Sequence, residues 1–168
     1  MHQFEELGVL SFPPDTKMVT CTFEDGGTGK LRHVVVDGLV VSKNKILLVK
    51  RASYLTNPNK YGLPGGYLNR DETTIEGVQR EVLEETGYTC KKVTLFTIID
   101  EPNRKGEDRQ NVEFTFVIEP GKKVGRPDKE SSEVKWFDLS KLPKEKDFAF
   151  DHFERIQMYL KSTLYSKV

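Results

Sequence analysis

The sequence predicts a protein of the α/β class, more narrowly an α+β domain in which a mixed sheet is covered by helices. Three features point there: several short runs rich in β-branched residues and bounded by turn signals, a central segment with helical periodicity, and a second such segment near the carboxyl end. A length of 168 residues suits one compact domain with a real core.

After the turn-rich "SFPPDTK", the segment "KMVTCTF" alternates its faces as a strand and "EDGGTGK" reads as a turn. "LRHVVVDGLVVS" then reads as a longer strand that completes an N-terminal hairpin. The "SKNK" turn leads into "ILLVKR", a buried strand ending on Lys50 and Arg51, and the loop "ASYLTNPNKYG" follows. Thr73 to Thr86 makes a helix of about four turns with Gly87 as its stop. "KKVTLFTIID" and "QNVEFTFVIE" are strands joined by the polar loop "EPNRKGEDR". "GKKVGRPDKESS" is a loop, "EVKWFDL" a last short strand, and "FAFDHFERIQMYLKSTL" a closing helix. In that helix Phe153, Ile156, Leu160 and Leu164 form the stripe expected to lie on the sheet.

Lys plus Arg equals Asp plus Glu at 26 each, so no global field draws the chain to nucleic acid or an anionic membrane. No apolar run approaches the roughly 20 residues that span a bilayer. Cys21 and Cys90 form no CxxC pair and are too few for a disulfide framework, which favours a reducing, cytoplasmic setting. "GGTGKL" is a hairpin turn rather than a phosphate-binding loop, because Leu31 stands where Ser or Thr is required.

The stretch "LPGGYLNRDETTIEGVQREVLEETGY", residues 63–88, is where chemistry concentrates. Glu81, Glu84 and Glu85 fall on one arc of the helix, while Ile75, Val78 and Val82 occupy an adjoining arc that can enter the core. Carboxylates so close repel one another, and a divalent cation relieves that repulsion. With only oxygen donors nearby and no His or Cys cluster, Mg²⁺ or Mn²⁺ is favoured over Zn²⁺. Arg80 can orient a neighbouring carboxylate, and Glu72 at the helix entrance can buttress the loop through backbone N–H groups. A Gly65–Gly66 turn can aim a bare carbonyl at the ion and admit phosphate oxygens close to the chain.

These residues match G-x5-E-x7-R-E-U-x-E-E-x-G-U, where U is bulky and apolar, from Gly66 through Glu72, Arg80, Glu81, Val82, Glu84, Glu85 and Gly87 to Tyr88. That pattern is the Nudix box, and the sequence resembles the Nudix hydrolase family over about residues 32–143. Tyr88 stands where an aliphatic residue is more usual, and Gly77 where alanine is. The resemblance implies an α/β/α sandwich around a central mixed sheet, with residues 31–168 as the hydrolase domain and 1–30 as an extension carrying a hairpin strand.

It further implies hydrolysis of a nucleoside diphosphate linked to another moiety. Glu81, Glu85, Glu84 and the Gly65 carbonyl are then the metal ligands, joined by Glu130, six residues ahead of Trp136. Water attacks phosphorus while a glutamate, Glu81 or Glu130, takes its proton. Arg51 resembles the family arginine that meets a substrate phosphate; Arg104, Lys105 and Arg109 are candidates to clamp a distal phosphate or ribose, and Tyr61 and Phe114 to stack on a base. His2, His33 and His152 are scattered and suggest no catalytic set.

The expected partner is a small nucleotide: ADP-ribose or a nucleotide sugar, or an ordinary or oxidised nucleoside triphosphate. A catalytically silent nucleotide sensor on the same fold is the competing class, and processing of capped RNA would require a basic track that the balanced charge does not advertise. The N-terminal hairpin offers an edge strand to a second copy, so a homodimer is a further expectation.

Overall fold

The computed structural model describes residues 19–102, 104 and 110–165. Strand β1 (Val19–Thr22) pairs antiparallel with β2 (Thr28–Leu31) in a two-stranded sheet of its own. The long strand expected from residue 31 therefore divides. The turn closes sooner than the sequence suggested, through the Phe23 N–H to the Gly27 carbonyl at 2.8 Å, and Thr28–Leu31 becomes the hairpin partner. Only β3 (His33–Ser42) enters the main sheet.

That sheet also contains β4 (Lys45–Arg51), β5 (Tyr61–Gly62), β6 (Gly65–Tyr67), β7 (Tyr88–Ile99), β8 (Asn111–Lys123) and β9 (Ser131–Asp138). Its path runs β5-β4-β3-β8-β7, with β6 pairing β3 and β9 pairing β4. β3 and β8 are parallel, from His33 opposite Asn111 to Val40 opposite Ile118, and the other named pairs are antiparallel. The sheet is mixed, as the sequence predicts.

Strand β4 reads as a continuous apolar run because both its faces are covered. Its period of two sends Ile46 and Leu48 into one core and Leu47 into the other. The Leu47 core is closed by helix α1 (Thr74–Thr86) through Val78 and Val82, which meet Val36, Val40, Phe116 and Ile118. Burying each valine contributes roughly 1.5–3 kcal/mol. Ile75 stays 49% exposed, so the buried stripe begins one turn later than expected. Thr73 caps the helix in a capping box with Glu76, and Gly87 ends it with φ 77°, a left-handed conformation suited to glycine.

The opposite core is closed by helix α2 (His152–Leu160), whose Ile156 and Tyr159 pack with Leu39, Val41, Ile46 and Leu48. Phe153, Leu160 and Leu164 join that packing as the sequence stripe requires, but the helix spans nine residues rather than the whole of 148–164. Phe150 explains the late start: its φ of 50° cannot belong to a right-handed helix. Two helices on opposite faces of one sheet give an α+β sandwich, and among the described residues no helix is long and apolar enough to cross a membrane.

Candidate active site

Gly65 and Gly66 open strand β6 where the sequence suggests a turn. β6 pairs with β3, Gly65 opposite Asp37 and Gly66 opposite Val36, which lays this backbone beside α1. The Gly65 N–H donates to Glu85 Oε2 at 3.0 Å. A Cβ built on Gly66 would lie 2.5 Å from Glu81 Oε1, so any larger residue would push that carboxylate from its place beside Arg80.

Arg80 gathers the acids. Its Nε donates to Glu72 Oε2 at 2.9 Å and its Nη1 to Glu81 Oε1 at 2.8 Å and Glu84 Oε2 at 3.0 Å. Its Nη2 reaches Glu72 Oε1 at 2.7 Å and the Tyr67 carbonyl at 3.1 Å. Glu72 also accepts the Asn69 N–H at 2.8 Å, so Arg80 and Glu72 together tie the loop before the helix to the helix itself. The hydrogen bonds from Arg80 pull the Glu72 carboxyl down to about 2.

Two other carboxyls move the opposite way. Glu85 is 6% exposed, and burial pushes it up to about 8 although the Gly65 N–H favours the ionised form. Burial also raises Glu81, opposed by its bond to Arg80.

Glu81, Glu84, Gly65, Gly66 and Arg80 line a cleft of about 360 Å³, and Glu130 reaches it from the loop before β9. Asp128, bonded through its N–H to the Glu84 carbonyl at 2.9 Å, lines it as well. Arg51 lies on the same cleft, its Nε bonded to the Thr56 carbonyl at 2.7 Å and its guanidinium 5.0 Å over the Phe150 ring.

Arg104 is not at the cleft mouth. Its side chain is 5% exposed and turned inward, where it is bonded to Glu113 and stands 3.7 Å from Asp151. Arg155 completes this interior group through Glu113 Oε1 at 3.2 Å. Burial opposes charge on Glu113, but Arg155 and Arg104 keep its carboxyl below the usual range. Such an arginine is already committed to a buried carboxylate, which removes the expected reach toward substrate. Arg109 and Lys105 lie outside the described residues. Tyr61 packs edge-on against Phe137 at 5.0 Å and Phe114 packs against the core under α1, so both aromatic residues serve packing.

The structure adds Asp37, Asn111, Phe150 and His152 to the cleft, none of which the sequence singled out for it. His152 is almost fully buried, its Nδ1 accepting the Leu63 N–H at 2.8 Å, and burial pushes the imidazole down to about 4. Local spacing carries no signal for a contact between residues 89 apart.

The donor set suits a hard divalent cation: carboxylate and carbonyl oxygens without thiolates, beside a Glu85 whose carboxyl is raised first by burial and further by the neighbouring Glu81 and Asp128. Among the described residues no three candidate side chains already converge as ligands; the acids are drawn to Arg80 instead. Glu81, Glu84, Glu85, Glu130 and the Gly65 carbonyl are the groups that would hold an ion.

Comparison with known proteins agrees with this geometry. The NUDIX domain model matches residues 31–159. The ADP-ribose pyrophosphatase of Methanocaldococcus jannaschii is 35% identical over 130 residues, 76% of this chain and 73% of that protein. The human 8-oxo-dGDP phosphatase NUDT18 is 30% identical over 115 residues, 66% of this chain but 33% of its own length. The crystal structure of a MutT NUDIX hydrolase from Burkholderia pseudomallei superposes with a TM-score of 0.64 at 22% identity, covering 74% of this chain and 95% of that one. With the complete box, the fold and these matches in hand, the chain belongs to the NUDIX domain family and is a Nudix hydrolase.

Proposed function

We propose that this protein hydrolyses the diphosphate linkage of a small nucleoside diphosphate derivative, with ADP-ribose or a related nucleotide sugar first among substrates. The observation that carries this reading is the cleft itself. Three glutamates open onto it, a fourth lies buried behind the Gly65 N–H, and Arg51 supplies positive charge on the same wall system. The similarity to an ADP-ribose pyrophosphatase favours that substrate. The similarity to an 8-oxo-dGDP phosphatase supports an oxidised nucleotide as the second candidate.

Arg80 and Glu72 hold the acids and the loop in place, and the glycines at 65 and 66 let this strand lie against Asp37 and Glu81 at the cleft wall. Arg51 offers its guanidinium to a phosphate oxygen. Water attacks phosphorus and Glu81 or Glu130 accepts its proton. Bound Mg²⁺ or Mn²⁺ would offset charge on the diphosphate oxygens and acidify the attacking water. Loss of the acidic limb of the pH–rate profile in Glu81→Gln or in Glu130→Gln identifies which carboxylate is the base.

The test is a panel of ADP-ribose, nucleotide sugars, dinucleoside polyphosphates and ordinary and 8-oxo nucleotides with Mg²⁺ or Mn²⁺. AMP and ribose 5-phosphate from ADP-ribose are the expected products. Binding without turnover across the panel would contradict the proposal and favour a sensor.

A further inference from the structure

We infer that His152 is a substrate-binding residue that presents a fixed, uncharged Nε2–H donor to an uncharged acceptor on the sugar or base of the substrate. This rests on the reading of the cleft as a diphosphate hydrolase site. The backbone N–H of Leu63 is a donor only, so the Nδ1 that accepts it at 2.8 Å carries a lone pair and the ring proton sits on Nε2. The Nδ1 edge faces the Gly62–Leu63 backbone: a Cβ on Gly62 would lie 3.1 Å from Nδ1. The imidazole lines the cleft, its one hydrogen bond among the described residues is at Nδ1, and Nε2 is not among the buried side-chain atoms left unpaired, so Nε2 is open to the cleft. A donor open to a cleft is completed by whatever fills that cleft.

A neutral donor gains less from a charged phosphate oxygen than the Arg51 guanidinium on the same cleft does, which leaves His152 an acceptor on the sugar or base. Burial disfavours the imidazolium, and Arg51, Arg104 and Arg155 disfavour it further, with Glu113 alone acting the other way. Arg51 already brings positive charge to this wall and is felt by both Glu85 and His152, so the imidazole adds direction rather than charge. Its neighbour Phe150, with ring centroids 5.4 Å apart and a left-handed backbone, is fixed beside it on the same cleft. Rigid backbone and a locked tautomer are what orienting a sugar hydroxyl or a base nitrogen requires.

Two substitutions separate this role from a structural one. Asparagine at 152 places its oxygen near Nδ1 and keeps an acceptor for Leu63, but it has no donor at the Nε2 position. Glutamine does the reverse. With ADP-ribose as substrate, His152→Asn is expected to raise KM about 5- to 15-fold while kcat falls less than about threefold, and His152→Gln to recover most of the affinity. In nitrogen-15 spectra of the full chain, the Nε2–H tautomer of His152 is expected from pH 5 to 8, with its resonance shifted by the product probes. A shift with ribose 5-phosphate assigns the acceptor to the distal sugar; a shift with AMP alone assigns it to the adenosine half. Wild-type KM in His152→Asn, protonation at Nδ1, or a resonance indifferent to both probes would overturn the inference alone. Absence of wild-type turnover on every nucleotide would overturn the proposed function and this inference with it.

Discussion

Replacing Glu85 by glutamine is expected to stabilise the metal-free protein while removing its activity. Glu85 is 6% exposed and its carboxyl is pushed up to about 8 from 4.5, chiefly by burial. The folded protein therefore holds this proton more tightly than the unfolded chain. The associated stability is complete below pH 4.5 and is lost as pH rises through 8. From 4.5 to 7, a loss of about 1.4 kcal/mol per pH unit amounts to about 3 kcal/mol. Glutamine has the shape of the protonated acid, keeps a carbonyl for the Gly65 N–H, and never ionises. In chelator at pH 7, Glu85→Gln should melt about 6–12 °C above wild type, and the difference should vanish near pH 4.5. Thermal and urea denaturation between pH 4.5 and 8 measure this directly. A variant no more stable than wild type at pH 7, or a gap that does not change with pH, would show that Glu85 does not hold its proton more tightly in the folded protein. Turnover with Mg²⁺ should fall at least about 100-fold in the same variant.

Gly66→Ala brings a methyl group to 2.5 Å from Glu81 Oε1, so turnover should fall about 100-fold with an unchanged circular dichroism spectrum. Wild-type kinetics in that variant would contradict the close approach. Glu113→Gln breaks the buried group with Arg104 and Arg155 and should cost about 3–5 kcal/mol, read from the urea midpoint; an unmoved midpoint would contradict it. His152, depressed to about 4 by burial, is protonated more readily in the unfolded chain, so its contribution to stability falls as pH drops from 6.5 to 4. The stability gap between wild type and His152→Asn should therefore change by about 3 kcal/mol across that window, and a constant gap would contradict the buried neutral ring.

The fold was legible where periodicity and burial coincide. Ile46 to Val49 read as a strand because both faces meet a core, and Val78 and Val82 read as a helix face because one does. The box glutamates were legible because one helix carries them, and the structure brings Glu130 to the same cleft from a distant loop. What local spacing could not supply lies in long-range contacts. Arg104 looked like a loop cation until β8 placed Glu113 beside it. His152 became part of the cleft only through a backbone amide 89 residues away. The closing helix was read too long because nothing in "FAFDH" announces the left-handed backbone at Phe150. Ile75 kept the helical period but extends beyond the buried stripe.

Hydrolysis of ADP-ribose in oxygen-18 water with Mg²⁺ reads out the attack of water on phosphorus itself. AMP and ribose 5-phosphate are expected, with one labelled oxygen on a product phosphate and essentially none formed by Glu85→Gln. No turnover by the wild-type protein, turnover unaffected by Glu85→Gln, or label recovered outside phosphate would contradict it.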